Sequence, residues 1–289
     1  MAAVAGDAAL PGPVRRRNFR LHPGFGLTLG ITLAYLGVIV LLPIAAAFVK
    51  LLDLTPAQIW AIATSERALS AYRLSFGLSL AAAAINLVLG TVTAWVLVRY
   101  RFPARRILDA MIDLPFALPT AVAGIALATL YSGNGWLGRP LAALGIDVAF
   151  KPLGILVALV FVGLPFVVRT VQPALQDLDP AFEEAAATLG ASRGQAIAHV
   201  VSRAVLPAAF TGFTLAFARA VGEYGSVIFI AGNIPFVSEI APLLIVVKLE
   251  EYDYAGATVL AASMLVISFA MLLLINLSQR WRAGAHKAG

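Results

Sequence analysis

Long apolar runs alternate with short polar connectors along this chain. The runs lie at about 26–49, 74–98, 113–132, 152–172, 204–232 and 255–279. Roughly 20 apolar residues carry a helix across the hydrocarbon of a bilayer, and these runs reach or exceed that length. Backbone exposed to lipid must satisfy its own hydrogen bonds, so each run reads as a helix. The pattern predicts an all-α integral membrane protein with six transmembrane helices. The fifth run is the least uniform, because Arg219 and Glu223 lie inside it.

Composition supports this class. The 289 residues are 61% hydrophobic and 12% charged, whereas a soluble domain is about 45–50% apolar and ~25% charged. Mean hydropathy is +0.90. With no cysteine, disulfides, thiolate metal sites and a Cys nucleophile are excluded. The net charge of +6 would suggest nucleic acid for a soluble protein; here it is sorted by membrane side, and no nucleic-acid role is expected. Placing the N-terminus inside puts Arg15, Arg16, Arg17, Arg20, the group Arg99 to Arg106, Arg169, Arg193, Arg203, Arg280, Arg282 and Lys287 on one side. Lys50, Arg67, Arg73, Arg139, Lys151 and Lys248 fall on the other. That excess predicts cytoplasmic N- and C-termini. The basic tail runs into an apolar stretch too long for a signal-peptide core, which predicts an uncleaved first helix. The expected organisation is a cytoplasmic tail at 1–26, a first helix and outer segment at 27–71, one membrane domain at 72–280, and a short tail at 281–289.

Between the fourth and fifth runs lies a polar, alanine-rich stretch at about 180–199 that is too short to span. Asp179-Pro180 is a helix start, since Asp accepts from free N–H groups and Pro suits the first helical position. Gly190 is a helix stop. The helix between them is about ten residues, or ~15 Å. Phe182, Ala185, Ala186 and Leu189 recur at helical spacing as a narrow apolar stripe, with Glu183, Glu184 and Thr188 off it. Ser192 is placed to cap a second helix leading through His199 into the membrane. Small residues on a cytoplasmic elbow suit a groove on another protein; an ordinary surface helix between spans fits the composition equally.

Glu184-Ala185-Ala186 followed by Gly190 resembles the EAA motif of the membrane subunits of bacterial ABC importers. In that family this elbow is a coupling helix that docks in a cleft of the ATPase subunit. The resemblance assigns coupling to Phe182, Glu184, Ala185, Ala186, Leu189 and Gly190, and implies the six-helix type I importer permease fold. One departure stands out: Ser202-Arg203 occupies the place of the family's Leu-Pro, and Leu206-Pro207 follows four residues later.

Three longer stretches are similar to the sulfate/thiosulfate permeases of the T type: Tyr100 to Gly124 (YRFPARRILDAMIDLPFALPTAVAG), Leu164 to Pro173 (LPFVVRTVQP) and Gly222 to Pro235 (GEYGSVIFIAGNIP). The likeness runs from about 25 to 280. It implies a sister permease of the W type, two ATP-binding subunits, a periplasmic sulfate-binding protein, and residence in a bacterial inner membrane. No Gly-rich phosphate loop with Lys-Ser/Thr occurs, so ATP would be used by the partner subunit and this chain binds no cofactor of its own. Molybdate and other oxyanion permeases share the fold and remain alternatives for the substrate.

A path for a tetrahedral dianion needs fixed N–H donors or a weak positive field, since tight binding would trap the ion. Pro115 and Pro119, ahead of Thr120, break helical hydrogen bonding at the start of the third run. Freed backbone groups and helix N-termini line such paths in transporters; a kinked helix start near the cytoplasmic face explains the prolines as well. Asp113 is expected to cap this helix or to pair with Arg105 or Arg106. Arg219 and Glu223 stand four apart, within reach of each other. A charge at mid-membrane costs at least ~2.5–3.5 kcal/mol, so such residues face a partner or water. They either bias the path or lock helix packing. Gly222, Gly225, Gly232 and Asn233 surround them and permit close helix approach. Pro165 and Arg169 match the family pattern without an evident role. The outer loop at about 233–254 carries Glu239, Glu250, Glu251 and Asp253; the last three form a solvated face or a contact for a binding protein. His22, His199 and His286 are isolated, which argues against a metal.

Two rival classes remain. An ATP-independent secondary transporter needs coupling-ion sites, for which one Arg–Glu pair is thin material. An intramembrane hydrolase needs a Ser/His or paired Asp within the spans, and His is absent from all of them.

Overall fold

The computed structural model describes residues 24–285, which are helical with no strand among them. Of the expected tails at 1–26 and 281–289, residues 1–23 and 286–289 lie outside the described residues. The chain divides into two units between Ala47 and Phe48, each described by itself.

The first unit is the greater part of α1 (Phe25–Leu51), with a mean hydropathy of 2.4. A π-turn at Gly37–Leu41 widens the helix just before Pro43, whose ring would otherwise crowd the carbonyl four residues back.

The second unit opens with α2 (Pro56–Ala63). Thr55 and Gln58 cap it reciprocally, with Thr55 N–H donating to Gln58 Oε1 at 2.9 Å. The core is three long helices: α3 (Glu66–Arg99), α8 (Pro152–Gln176) and α10 (Arg193–Val221). The buried face of α3 is lined by small side chains, including Ala68, Ala71, Ser75, Ser79, Ala82, Ala83, Gly90 and Ala94. Hydrophobicity cannot drive helices together within lipid, so close van der Waals contact must. Gly90 shows how close that contact is: a Cβ there would lie 2.7 Å from Val167 Cβ. Leu97, Val167, Val168, Val171 and Phe217 fill the seam. Pro165 and Pro173 sit inside α8 without ending it, as neighbouring helices allow in membranes.

The remaining elements are α4 (Arg105–Ile112), α5 (Leu114–Ala117), α6 (Thr120–Tyr131), α7 (Gly138–Ala143), α9 (Ala181–Thr188), α11 (Val227–Ala231), α12 (Ala241–Glu250) and α13 (Tyr254–Ala285). Among the described residues, five helices are long and apolar enough to cross a membrane: α1, α3, α8, α10 and α13. The third predicted run differs. It is divided among α5, a break at Leu118-Pro119, and the 12-residue α6. The fifth run differs too. Its helix starts at Arg193, about ten residues early, and stops at Val221 instead of continuing to 232. A π-turn at Ile197–Val201 leads into Ser202-Arg203. Helix then continues through the region where the family's Leu-Pro was expected, with Pro207 inside it.

Outside the core, Arg67 grips Glu239 in a two-point pair, Nε to Oε2 at 2.8 Å and Nη2 to Oε1 at 2.7 Å. The Glu239 side chain is buried. Lys248 contacts Glu251 at 2.9 Å and Asp253 at 3.3 Å. Glu239 is therefore held in a buried pair, whereas Glu251 and Asp253 share Lys248 and stay partly exposed.

Candidate functional site: an exposed elbow and two facing helix breaks

The elbow is built as its residues dictate. Asp179 Oδ1 accepts from the Ala181 N–H at 2.9 Å and starts α9. At the other end Gly190 adopts φ +85. Its N–H donates to Ala187 O at 3.0 Å, and the Ala191 N–H donates to Ala186 O at 3.0 Å. This pair of bonds closes a helix over a left-handed residue. Ser192 then caps α10, its N–H donating to Gln195 Oε1 at 2.8 Å. Phe182 is 60% exposed and Leu189 89%. Glu184 and Ala185 are also exposed, while Ala186 turns partly inward. The apolar stripe therefore points away from the chain. Glu183 points the other way, into an ion pair with Arg99 at the end of α3.

The second feature lies where two helices are interrupted side by side. After α5, Leu118 and Pro119 are extended, and α6 restarts at Thr120. Opposite, α10 ends at Val221, and Gly222 to Ser226 lead into α11. These segments touch through backbone. A Cβ on Gly225 would overlap the Thr120 hydroxyl, and one on Gly124 would overlap the Ser226 carbonyl. Glu223 is 2% exposed. Its Oε1 accepts from the Ser226 N–H at 2.9 Å and hydroxyl at 2.8 Å, and its Oε2 pairs with Arg219. Arg219 keeps about a third of its side-chain surface open.

The structure thus brings Thr120, next to Pro119, against the loop that carries Glu223, and it pairs Glu223 with Arg219. Such a place offers an exposed cation, a buried counter-charge and backbone freed from helical bonding. Pro115 lies four residues before Pro119. It belongs to α5, which packs on α8 through Phe116 and Phe166, ring centroids 5.1 Å apart.

Asp113 corrects an expectation. Its side chain does not cap α5, and its partner is neither Arg105 nor Arg106. It receives Arg169 Nε at 2.9 Å and Nη2 at 2.6 Å. Arg169 Nη1 also donates to Asp109 Oδ1 at 2.7 Å and Gln172 Oε1 at 2.6 Å, and Nη2 to the Asp109 carbonyl at 2.9 Å. Partial burial pushes the Asp109 carboxyl up, but hydrogen bonds from Gln172 and Arg169 outweigh it and hold it below its usual 3.8. The signal for this cluster was present in the sequence. An arginine inside an apolar run requires a partner, and Gln172 lies one helical turn on.

No group of three or more His, Cys, Asp or Glu side chains suited to a metal occurs among the described residues.

Comparison with known proteins places this architecture. Residues 86–283 match the family described as binding-protein-dependent transport system inner membrane component. The sulfate transport system permease protein CysT of Synechocystis sp. is 53% identical over 87% of this chain and 88% of its own. Its Escherichia coli counterpart is 47% identical over 90% and 94%. Among solved structures, a bacterial alginate ABC transporter in complex with an alginate-bound periplasmic protein superposes with a TM-score of 0.73 at 15% identity, covering 88% of this chain and 93% of that one. The MetNI methionine ABC transporter gives 0.56 at 17% identity, covering 80% and 99%. At those identities the likeness concerns the fold, which is that of ABC importer permeases. The chain belongs to the binding-protein-dependent transport system inner membrane component family, as a multi-pass inner-membrane permease.

Proposed function

We infer that this chain is the membrane-spanning permease subunit of an ATP-driven sulfate importer, with thiosulfate as a second substrate. Near-full-length identity of about half to proteins named as sulfate permeases carries the substrate. The outward-facing stripe of Phe182, Ala185 and Leu189 supports docking of an ATP-binding subunit. In this reading both termini are cytoplasmic, a W-type sister permease completes the pore, two ATP-binding subunits sit beneath, and a periplasmic sulfate-binding protein delivers the anion. Closure of the ATPase pair pushes the elbows, and the helices rock from inward-open to outward-open.

The path is assigned to the facing breaks at Pro119-Thr120 and Gly222 to Ser226. Arg219 supplies a positive field there. Glu223 tempers it, so that the dianion is drawn in without being trapped. Sulfate is held by fixed donors while it is out of water, and the binding protein sets selectivity.

The test is radiolabelled sulfate uptake in a strain lacking its own sulfate importers, supplied with this chain and its neighbouring subunits. ATP-dependent uptake that ends with Gly190→Pro, at unchanged subunit levels, supports the reading. Entry of molybdate but not sulfate keeps the mechanism and overturns the substrate. Uptake without any ATPase subunit overturns the coupling role of the elbow and favours a secondary carrier. For the path, Arg219→Gln in an assembled complex lowers uptake; normal uptake would remove Arg219 from it.

A further inference from the structure

Glu183 stands off the apolar stripe that faces outward, and its carboxylate is turned back to the guanidinium of Arg99. Arg99 is the last residue of α3. Its Cζ lies 5.3 Å from the ring centroid of Trp95, one turn earlier on the same helix. The guanidinium is thus held between an indole face and a carboxylate. About a quarter of the Arg99 side chain and somewhat more of Glu183 stays exposed. A cation so confined binds its partners more firmly than one in open water. Just before it, Leu97 is fully buried in the α3, α8 and α10 seam, so the end of α3 is fixed to the core.

Among the described residues, three links between the elbow and the core bear on its movement. Two are covalent: the chain from α8 enters it, and α10 leaves it. Gly190, left-handed and with open space where a Cβ would stand, forms the turn at the exit. The third is Arg99–Glu183, which joins the elbow to the longest helix of the core. We propose that Arg99 is the positioning residue that couples the elbow to α3, so that force applied to α9 moves α3 together with α10. This rests on the importer reading above. With Arg99 neutralised, the docking stripe of Phe182 and Leu189 is untouched and an ATP-binding subunit still binds. Its push then swings α9 about Gly190 without carrying α3, and ATP is hydrolysed without transport.

The experiment uses the complete complex with its sister permease, ATP-binding subunits and binding protein in liposomes. Sulfate delivered per ATP hydrolysed is measured for wild type, Arg99→Gln, Glu183→Gln and the exchange Arg99→Glu with Glu183→Arg. Each single change is expected to leave subunit association unchanged and to lower the ratio at least about five-fold, the low end of coupling free energies between sites. The exchange is expected to recover part of it. Wild-type ratios in the single variants overturn the proposal, as does an exchange no better than the singles. Because the chain has no cysteine, Arg99→Cys with Glu183→Cys gives a second test independent of charge. A short bis-thiosulfonate linker should restore the ratio, and reduction should abolish it; no change in either state overturns the proposal. A wild-type complex that moves no sulfate at all defeats the importer reading and this inference with it. A coupled wild type beside an equally coupled Arg99→Gln defeats this inference alone.

Discussion

Arg169 meets Asp113 side-on, Nε donating to one carboxylate oxygen at 2.9 Å and Nη2 to the other at 2.6 Å. Together with Asp109 and Gln172 this accounts for all five N–H groups that a guanidinium carries. A lysine has the charge but no planar fork. Arg169→Lys is therefore expected to destabilise the protein by about 1–2 kcal/mol, the value for charged hydrogen bonds reduced for partial exposure. Thermal unfolding in detergent reads this as a drop of several degrees. A variant as stable as wild type would show that the fork geometry is immaterial.

The same cluster sets a pH response. The folded-state pKa of Asp109 is depressed below 3.8, so its contribution is present above that value and is lost as pH falls through the depressed one. Asp109→Asn should melt earlier than wild type at pH 7, and the gap should close only below about pH 4. A gap that closes at pH 5 or 6 would place the titration on another group.

Gly124 and Gly225 sit on opposite sides of one contact but differ in what a methyl would strike. At Gly124 it strikes the Ser226 backbone, which cannot move aside. At Gly225 it strikes mainly the Thr120 hydroxyl, which can be removed. Each Ala substitution is expected to cost about 1–3 kcal/mol as overpacking. Adding Thr120→Ala should relieve Gly225→Ala and leave Gly124→Ala unrelieved. Equal relief, or none, measured by unfolding of the double variants, contradicts this geometry.

Gly190 has φ +85 and open space around it, so substitution there strains backbone and meets no side chain. Asn tolerates the left-handed region better than Ala, and β-branched Val tolerates it least. Uptake per assembled complex should fall in the order Gly, Asn, Ala, Val. A Val variant as active as Asn would mean that the elbow functions without its left-handed turn.

Elements that depend on neighbouring residues were legible in the sequence. The elbow is one case, because Asp179, Gly190 and Ser192 each act within three residues of themselves. The Arg219–Glu223 pair was found from its spacing, although Glu223 lies just beyond the helix end. Long-range placement was not legible. Asp113 and Arg169 are 56 positions apart, and the sequence alone offers the nearer Arg105 and Arg106 as partners. The early stop of α10 was hidden too, because Val227 to Ala231 continue the apolar run while Gly222 to Ser226 leave the helix. Hydropathy reports that a residue avoids water; it does not report whether its backbone is still helical.

The shortness of α6 bears on how the protein is made. Twelve residues of helix reach ~18 Å, well short of a hydrocarbon layer of ~30 Å. Peptide groups at the ends of such a helix cannot be left facing lipid. In the finished molecule α6 lies against the segment from Gly222 to Ala231, which leaves the ribosome some hundred residues later. Until then α6 has α8 to pack on, and the backbone that closes over Gly124 is missing. Packing around α6 is in that sense completed late in the chain, and a protein cut short before Gly222 is expected to be cleaved near α6 faster than the full chain in limited proteolysis of membranes, even though most of its apolar helices are already in place.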